Sequence, residues 1–319
     1  MDTRSDAAGI SSCRDPCWQG TAGLARSPMA RPRQSRPARR TAILGRPLHA
    51  DGNGGDRCGE SIAGQGAAAT ASITDTFTQR FQVRFDECAR DGSARAPAIL
   101  RYVVETAFSH SAAVGYPLSW YFSHGLFWLI RRVRLRLDEP IAYGAALDVT
   151  TRVVGVRRFW ARRENLVHDP AGRPVGGATA DWIFTDDSGR PNRIPDAMER
   201  AFPVTPARTP PDRIDIDDPP GHLTPSLCVV PAHQIDPLGH ANNAAYLDLF
   251  EDALAGLGLD PQMRPVVYEL EYLKSVVAGD TLERFVWEVP SGAAMIGHGA
   301  DGTTAVRACR HSVVRPEPI

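Results

Sequence analysis

The chain has 319 residues, 43% hydrophobic and 8% aromatic, an ordinary globular composition with enough apolar surface for one large domain or two small ones. A formal net charge of −1 removes any overall electrostatic case for binding nucleic acid or an anionic membrane, and no run of about 18 apolar residues offers a membrane span. Lys274 is the only Lys among the cations, so Arg is the default positive residue and an Arg cluster carries little functional weight here.

Six cysteines stand at positions 13, 17, 58, 88, 228 and 309. Cys13 and Cys17 have no second pair or nearby His to complete a zinc set. Cys88, Cys228 and Cys309 sit singly in apolar runs, as buried thiols do. This usage points to a reducing, cytoplasmic compartment, and neither metal nor cofactor is implied.

Residues 1–75 are rich in Arg, Ala, Gly, Ser and Pro, and Trp18 is their only aromatic. They contain no apolar segment of the kind a signal peptide needs. Asp2, Asp6, Asp15, Asp51, Asp56 and Glu60 argue against a transit peptide, and a basic arm for nucleic acid would need interleaved aromatics. The segment reads as a disordered extension.

The aromatic residues begin at Phe77, and folding is expected from there. Phe81, Val83 and Phe85 alternate with Gln82 and Arg84 as a strand would. After a polar turn, Ile99, Leu100, Val103, Val104, Ala107 and Phe108 fall on one face of a helix with Pro97 in its first turn. Strands are expected around Val133–Leu137, Leu147–Val156, Phe159–His168 and Val175–Thr185, punctuated by Asp169-Pro170 and Asp187-Ser188-Gly189. Residues 203–221, with their prolines and alternating Asp, read as a linker.

Beyond the linker the plan repeats. A short strand at Leu227–Val230 leads to a turn, Asp236 to His240. A helix then carries Tyr246, Leu249, Phe250, Ala253, Leu254 and Leu257, followed by strands at Val266–Leu273, Thr281–Val289 and Thr304–Val314. Leu135, Ile141, Gly144 and Leu147 keep the spacing of Leu270, Val276, Gly279 and Leu282. The expected fold is therefore α+β: residues 76–202 and 222–319 each lay one helix on one curved antiparallel sheet, a stable two-layer arrangement. Joining the copies edge to edge hides exposed strand edges. The tandem pair makes a monomer adequate and leaves a homodimer open.

The chemistry concentrates in Asp236-Pro237-Leu238-Gly239-His240-Ala241-Asn242-Asn243-Ala244-Ala245-Tyr246. An acid and an imidazole flank a glycine just before a helix begins. The missing Cβ at Gly239 lets backbone approach a ligand. The first helix amides lack intrahelical acceptors and can hold a developing negative oxygen, and a carboxylate with a His can align or deprotonate water. That inventory suits thioester hydrolysis, whose thiol leaving group has a pKa of about 8.5 and needs little acid help.

The segment resembles the hotdog-fold thioesterase superfamily, whose members often carry D-x-x-G-H-x-N-N-x-x-Y. Phe127 to Arg132 leading to Pro140 and Gly144, then Ala180-Asp181-Trp182-Ile183-Phe184, look like the first half of acyl-acyl-carrier-protein thioesterases. The resemblance covers residues 77–319 and implies a double hotdog whose first half shapes the acyl pocket and whose second half carries the catalytic residues. Asp91-Gly92-Ser93-Ala94 in the first half has no His and no Asn pair, in keeping with that division. Asp236 and His240 carry over as base or nucleophile and as orienting imidazole. Leu238 stands where the plant-type family has Asn, and Ser275 and Val276 stand near its Glu-Cys pair, so those roles do not carry over.

Gly239 or His240 is expected to donate the amide that polarises the thioester oxygen. Asn242 and Asn243 are expected near the substrate, chiefly as caps of the helix, beside Tyr246. Glu251 is a candidate catalytic carboxylate by analogy with helix carboxylates of some hotdog thioesterases. On helical spacing it and Asp252 lie opposite Tyr246 and Phe250, where solvation is the default. Arg131, Arg132, Arg134 and Arg136, with Arg157, Arg158, Arg162 and Arg163, form either a solvated face or a dock for a carrier. His110, His124, His168 and His298 show no partner spacing.

The expected activity is hydrolysis of fatty acyl-acyl-carrier-protein thioesters, ending chain growth. Acyl-coenzyme A is an alternative substrate for the same site. A non-catalytic acyl-binding module is a third reading, without a helix-turn-helix to support it. A hydratase or dehydratase would need a differently spaced Asp-Asn-His signature.

Overall fold

The computed structural model describes residues 75–202, 204 and 213–312. The expected extension lies outside the described residues except for Asp75. Much of the expected linker does too, and its described part from Arg213 to Pro220 contains neither helix nor strand.

The first strand, β1, spans Phe77–Gln82 and is shorter than the apolar alternation suggests. The Glu87 carboxylate accepts the Arg84 amide at 2.9 Å, which draws the chain into a 3-10 turn at Phe85–Glu87 and leaves Phe85 82% exposed. Helix α1, Ala96–Ala113, begins as expected with Pro97 in its first turn and buries Ile99, Leu100, Val103 and Ala107. A short helix, α2 at Leu118–His124, follows without a sequence signal and ends at Gly125, whose φ of +60° suits a residue without Cβ.

Four strands complete the first half: β2 at Leu126–Leu137, β3 at Ala146–Arg157, β4 at Trp160–His168 and β5 at Pro174–Asp186. A one-turn helix, α3 at Asp196–Arg200, caps them. The second half holds β6 at Ser226–Val229, α4 at Asn243–Leu254, β7 at Val266–Tyr272, β8 at Thr281–Val289, β9 at Gly292–Gly299 and β10 at Thr304–Ser312. Strand β9 was not expected. Its sequence, Gly-Ala-Ala-Met-Ile-Gly-His-Gly, is small-residue-rich with no period of two, yet it is paired on both sides, to β8 and β10.

All ten strands form one sheet in the order β1-β3-β4-β5-β2-β7-β10-β9-β8-β6. Read from each outer edge toward the middle, the halves have the same order, so the sequence repeat is a repeat of topology. The halves meet where β2 and β7 pair antiparallel, from Arg132 opposite Glu271 to Leu137 opposite Val266. This seam explains the alternating arginines of β2. Arg131 pairs with Glu271 at 3.1 Å, Arg132 with Glu269, and Arg134 with Glu269 at 3.6 Å. Arg131, Arg132 and Arg134 are thus cross-strand partners, while Arg136 pairs with Asp138 just beyond its own strand at 3.0 Å.

Helices α1 and α4 pack against one another and against the sheet. One apolar core runs through both halves and includes Leu100, Leu135 and Leu147 on one side and Leu247, Tyr268 and Leu270 on the other. Each such side chain contributes roughly 1.5–3 kcal/mol when fully buried, so the halves are stabilised jointly. Among the described residues no helix is long and apolar enough to cross a membrane.

Candidate functional site

Each half enters its long helix through the same turn. In the second half the Asp236 amide donates to the His240 carbonyl at 2.8 Å, Gly239 to Asp236 at 2.9 Å, and Ala241 to Val276 at 2.7 Å. In the first half Ala89 donates to Ser93 at 2.8 Å, Gly92 to Ala89 at 3.0 Å, and Ala94 to Ile141 at 2.7 Å. Gly92 and Gly239 have φ of +80° and +82°, and a Cβ at either would meet nothing within 4 Å. Gly239 is thus favoured for its left-handed backbone, and the space where its side chain would stand is open.

The side chains on this common frame differ. Ala89 corresponds to Asp236 and Ser93 to His240. The Asp236 carboxylate folds back on its own turn, where Oδ1 accepts the amides of Leu238 at 2.9 Å and His240 at 3.2 Å. Burial pushes the Asp236 pKa up, opposed by those two amides and by the neighbouring His240. The amides of Gly239 and His240, expected to face a substrate, are therefore both engaged within the turn.

Asn242 caps α4, its Oδ1 accepting from the Ala244 amide at 2.9 Å. The Asn243 carbonyl accepts the Tyr272 hydroxyl at 3.0 Å. Tyr246 is buried, with its ring edge-on to Tyr272 at 5.5 Å. Burial, and secondarily the Asp236 charge, push its phenol well above the ordinary tyrosine range, so it acts as a neutral wall.

Asp236, His240, Asn242, Asn243 and Tyr246 all line one cleft of about 1070 Å³. The first half contributes Phe81, Tyr102, Phe108, Trp128 and Trp182 to its lining. The volume is at the upper end of small-molecule sites and suits an elongated ligand. Four cations line it as well, each tied to a carboxylate: Arg84 to Glu87 at 2.9 Å, Arg101 to Asp248, Arg131 to Glu271, and Lys274 to Asp301.

Glu251 is not in this group. Counting from the matched turns, it holds in α4 the position of Val104 in α1. It lines a separate pocket of about 330 Å³ beside the first-half turn, with Asp91, Arg95 and Gln262. It is not solvated either. It is 5% exposed and accepts the Tyr268 hydroxyl at 3.2 Å, and burial raises its pKa to about 7. The α1–α4 packing and the Tyr268 side turn this face of α4 inward, which helical spacing alone does not reveal.

Two further groups escaped the sequence reading. Arg163 is 8% exposed and its Nη1 donates to His110 Nδ1 at 3.0 Å. Burial, and then the guanidinium, lower the His110 pKa to about 4, so it is a neutral acceptor with its proton on Nε2. Nothing in the sequence separates Arg163 from its solvent-facing neighbours except its place on the inward face of β4.

Residues 74–202 match the family model described as acyl-ACP thioesterase N-terminal domain. Over 132 residues the chain is 23% identical to the acyl-[acyl-carrier-protein] hydrolase FATB2, chloroplastic, of Cuphea viscosissima, which covers 39% of this chain and 32% of that protein. It is 25% identical over 130 residues to the palmitoyl-acyl carrier protein thioesterase, chloroplastic, of Arabidopsis thaliana, covering 38% of this chain and 32% of the relative. The matches thus span about a third of the curated relatives' length. Among solved structures, an acyl-ACP thioesterase from Bacteroides thetaiotaomicron and the 12:0-ACP thioesterase from Umbellularia californica each superpose with a TM-score of 0.63 at 18% identity, covering 75% of this chain and 97% of theirs. The resemblance to acyl-acyl-carrier-protein thioesterases is plain in sequence over the first half, and the fold is shared over both.

Proposed function

We propose that this chain is a double hotdog thioesterase that hydrolyses fatty acyl thioesters, with acyl-acyl-carrier-protein as its substrate and a free fatty acid as product. One observation carries the reading: the half-buried Asp236 and His240 and the start of α4 converge at a cleft of about 1070 Å³ lined from the other half by aromatic side chains. The names of the matched relatives favour acyl-carrier-protein over coenzyme A as the carrier.

In this mechanism the ionised Asp236 carboxylate takes a proton from a water that attacks the thioester carbonyl. His240, beside it, orients that water or the substrate. The amide of Asn243, at the first turn of α4, is the donor assigned to the carbonyl oxygen in place of Gly239 and His240, since helix-start amides have no intrahelical acceptor. Collapse of the tetrahedral intermediate breaks the carbon–sulfur bond. The thiolate leaves with little assistance, because its conjugate acid has a pKa of about 8.5, and takes up the proton.

The test is steady-state hydrolysis of one acyl series on both carriers by the full chain. Acyl-carrier-protein thioesters should be cleaved with the higher kcat/KM. Equal or better cleavage of coenzyme A thioesters would reassign the carrier, and no cleavage on either would remove the enzymatic reading in favour of acyl binding alone.

A further inference from the structure

Behind the cleft lies a second, smaller space. Phe108, Trp128 and Trp182 line both, so the two spaces share one aromatic wall. The inner cavity measures about 30 Å³, room for about two water-sized groups. Its lining is apolar apart from Ser111, Tyr121, Arg163 and Glu199. Ser111 and Tyr121 satisfy each other at 2.7 Å.

Arg163 is the anomaly. Among the described residues no carboxylate lies within ion-pair distance of it, Glu199 included. It donates to the neutral His110 ring nitrogen, lies over the face of Phe202, 5.3 Å from the guanidinium carbon, and is near the neutral Tyr121 hydroxyl. Its neighbours on the same inward face of the sheet are also under-satisfied. Thr151 pairs with Asn165 across β3 and β4, and Arg163 lies two residues before Asn165. Thr151 Oγ1, Asn165 Oδ1 and Trp182 Nε1 are all buried without a hydrogen-bond partner. Buried polar groups are nearly always satisfied, and a buried charge is ordinarily paired. A lone guanidinium in an apolar pocket therefore suits an anion brought by a ligand, and its planar fork matches a carboxylate.

We propose that Arg163 is a specificity-determining residue that receives a carboxylate at the far end of the acyl chain, making half-thioesters of dicarboxylic acids the preferred substrate class. The proposal rests on the thioesterase reading for its reaction but not for its binding site. The acyl chain lies along the cleft, its thioester at Asp236 and its tail between Phe108, Trp128 and Trp182. The terminal carboxylate then occupies the inner cavity and supplies the missing counter-charge.

Two measurements test this on the full chain. In the first, thioesters of equal length ending in methyl, hydroxyl or carboxylate are hydrolysed in competition. The carboxylate-ended series should lead the methyl-ended one by about tenfold or more in kcat/KM, mainly through KM, as a charge-assisted hydrogen bond implies. Arg163→Met should reverse that order, and Arg163→Lys should keep it in part. In the second, calorimetry measures the binding of free dicarboxylic and monocarboxylic acids of equal length, with no need for turnover. Selective dicarboxylic acid binding that Arg163→Met abolishes supports the assignment even if no thioester is cleaved. Equal handling of methyl- and carboxylate-ended ligands by the unmodified protein overturns it, whether or not the Met variant folds. If thioesters are cleaved without that selectivity, the assignment falls and the thioesterase reading stands.

Discussion

The turns at 89–93 and 236–240 share a backbone and differ in chemistry. Their hydrogen bonds agree to about 0.1 Å and both glycines are left-handed, so the scaffold alone makes no site. Asp236 and His240, against Ala89 and Ser93, separate the cleft from its counterpart. The helix each turn faces differs too. The second-half turn looks onto α1 and the large aromatic cleft, and the first-half turn looks onto α4 and a pocket about a third as large. Of the two frames, only the second carries an acid and an imidazole and opens on the larger cleft.

The most direct challenge is to make the second turn resemble the first. Asp236→Ala with His240→Ser should lower hydrolysis of the best thioester by at least about 100-fold, the size of a lost general base, with melting temperature and circular dichroism showing that the fold persists. Near-normal turnover in that folded variant would remove the distinction between the turns.

The pH profile sharpens the same point. The mechanism needs Asp236 ionised, and burial raises its pKa above the ordinary value of 3.8. kcat/KM should therefore fall with decreasing pH along a limb whose midpoint lies above that value, and Asp236→Asn should lose the limb with the activity. A midpoint at or below the ordinary carboxylate value would assign the base elsewhere.

Glu251 probes the other pocket, and its expected effect is on stability rather than rate. Its carboxyl titrates near the ordinary 4.5 when unfolded and near 7 when folded. Between those values the folded state holds the extra proton, so this group's contribution to stability declines as pH rises through the window and levels off above it. Glu251→Gln should flatten that decline in denaturant titrations and stabilise the protein at pH 8 by up to about 3 kcal/mol. Turnover should stay within about twofold, and a large loss would restore Glu251 to the catalytic set.

The smallest effect is expected at Asp91, whose Oδ1 accepts the Ser93 amide at 2.9 Å and the Ser93 hydroxyl at 2.7 Å. Asp91→Ala should cost about 1 kcal/mol, as loss of a turn hydrogen bond does, measured by chemical denaturation. No change in kcat/KM should accompany it.

Much of this contrast was legible in the sequence. The helix faces of α1 and α4, the repeat from Leu135 to Leu147 and from Leu270 to Leu282, and the Asp-x-x-Gly-His turn all follow from local spacing, which short-range physics fixes. What was not legible depends on distant partners. Phe85 looks like a strand residue until Glu87 reaches back to Arg84. Strand β9 has no alternation because two neighbouring strands, not its own side chains, hold it in place. The arginines of β2 look solvated until β7 brings Glu269 and Glu271 across the seam. Glu251 and Arg163 look like surface charges until helix packing and the sheet close over them. Even at the turn, no local signal shows that the Gly239 and His240 amides are taken up by Asp236 itself.

The central question is where a thioester binds. A crystal structure of the Asp236→Asn variant with an acyl-pantetheine thioester tests it most directly. The thioester carbonyl should lie beside position 236 and the start of α4, with the tail running between α1 and Trp182 toward the first half. A thioester found outside this cleft, or seated at the first-half turn beside Glu251, would contradict it.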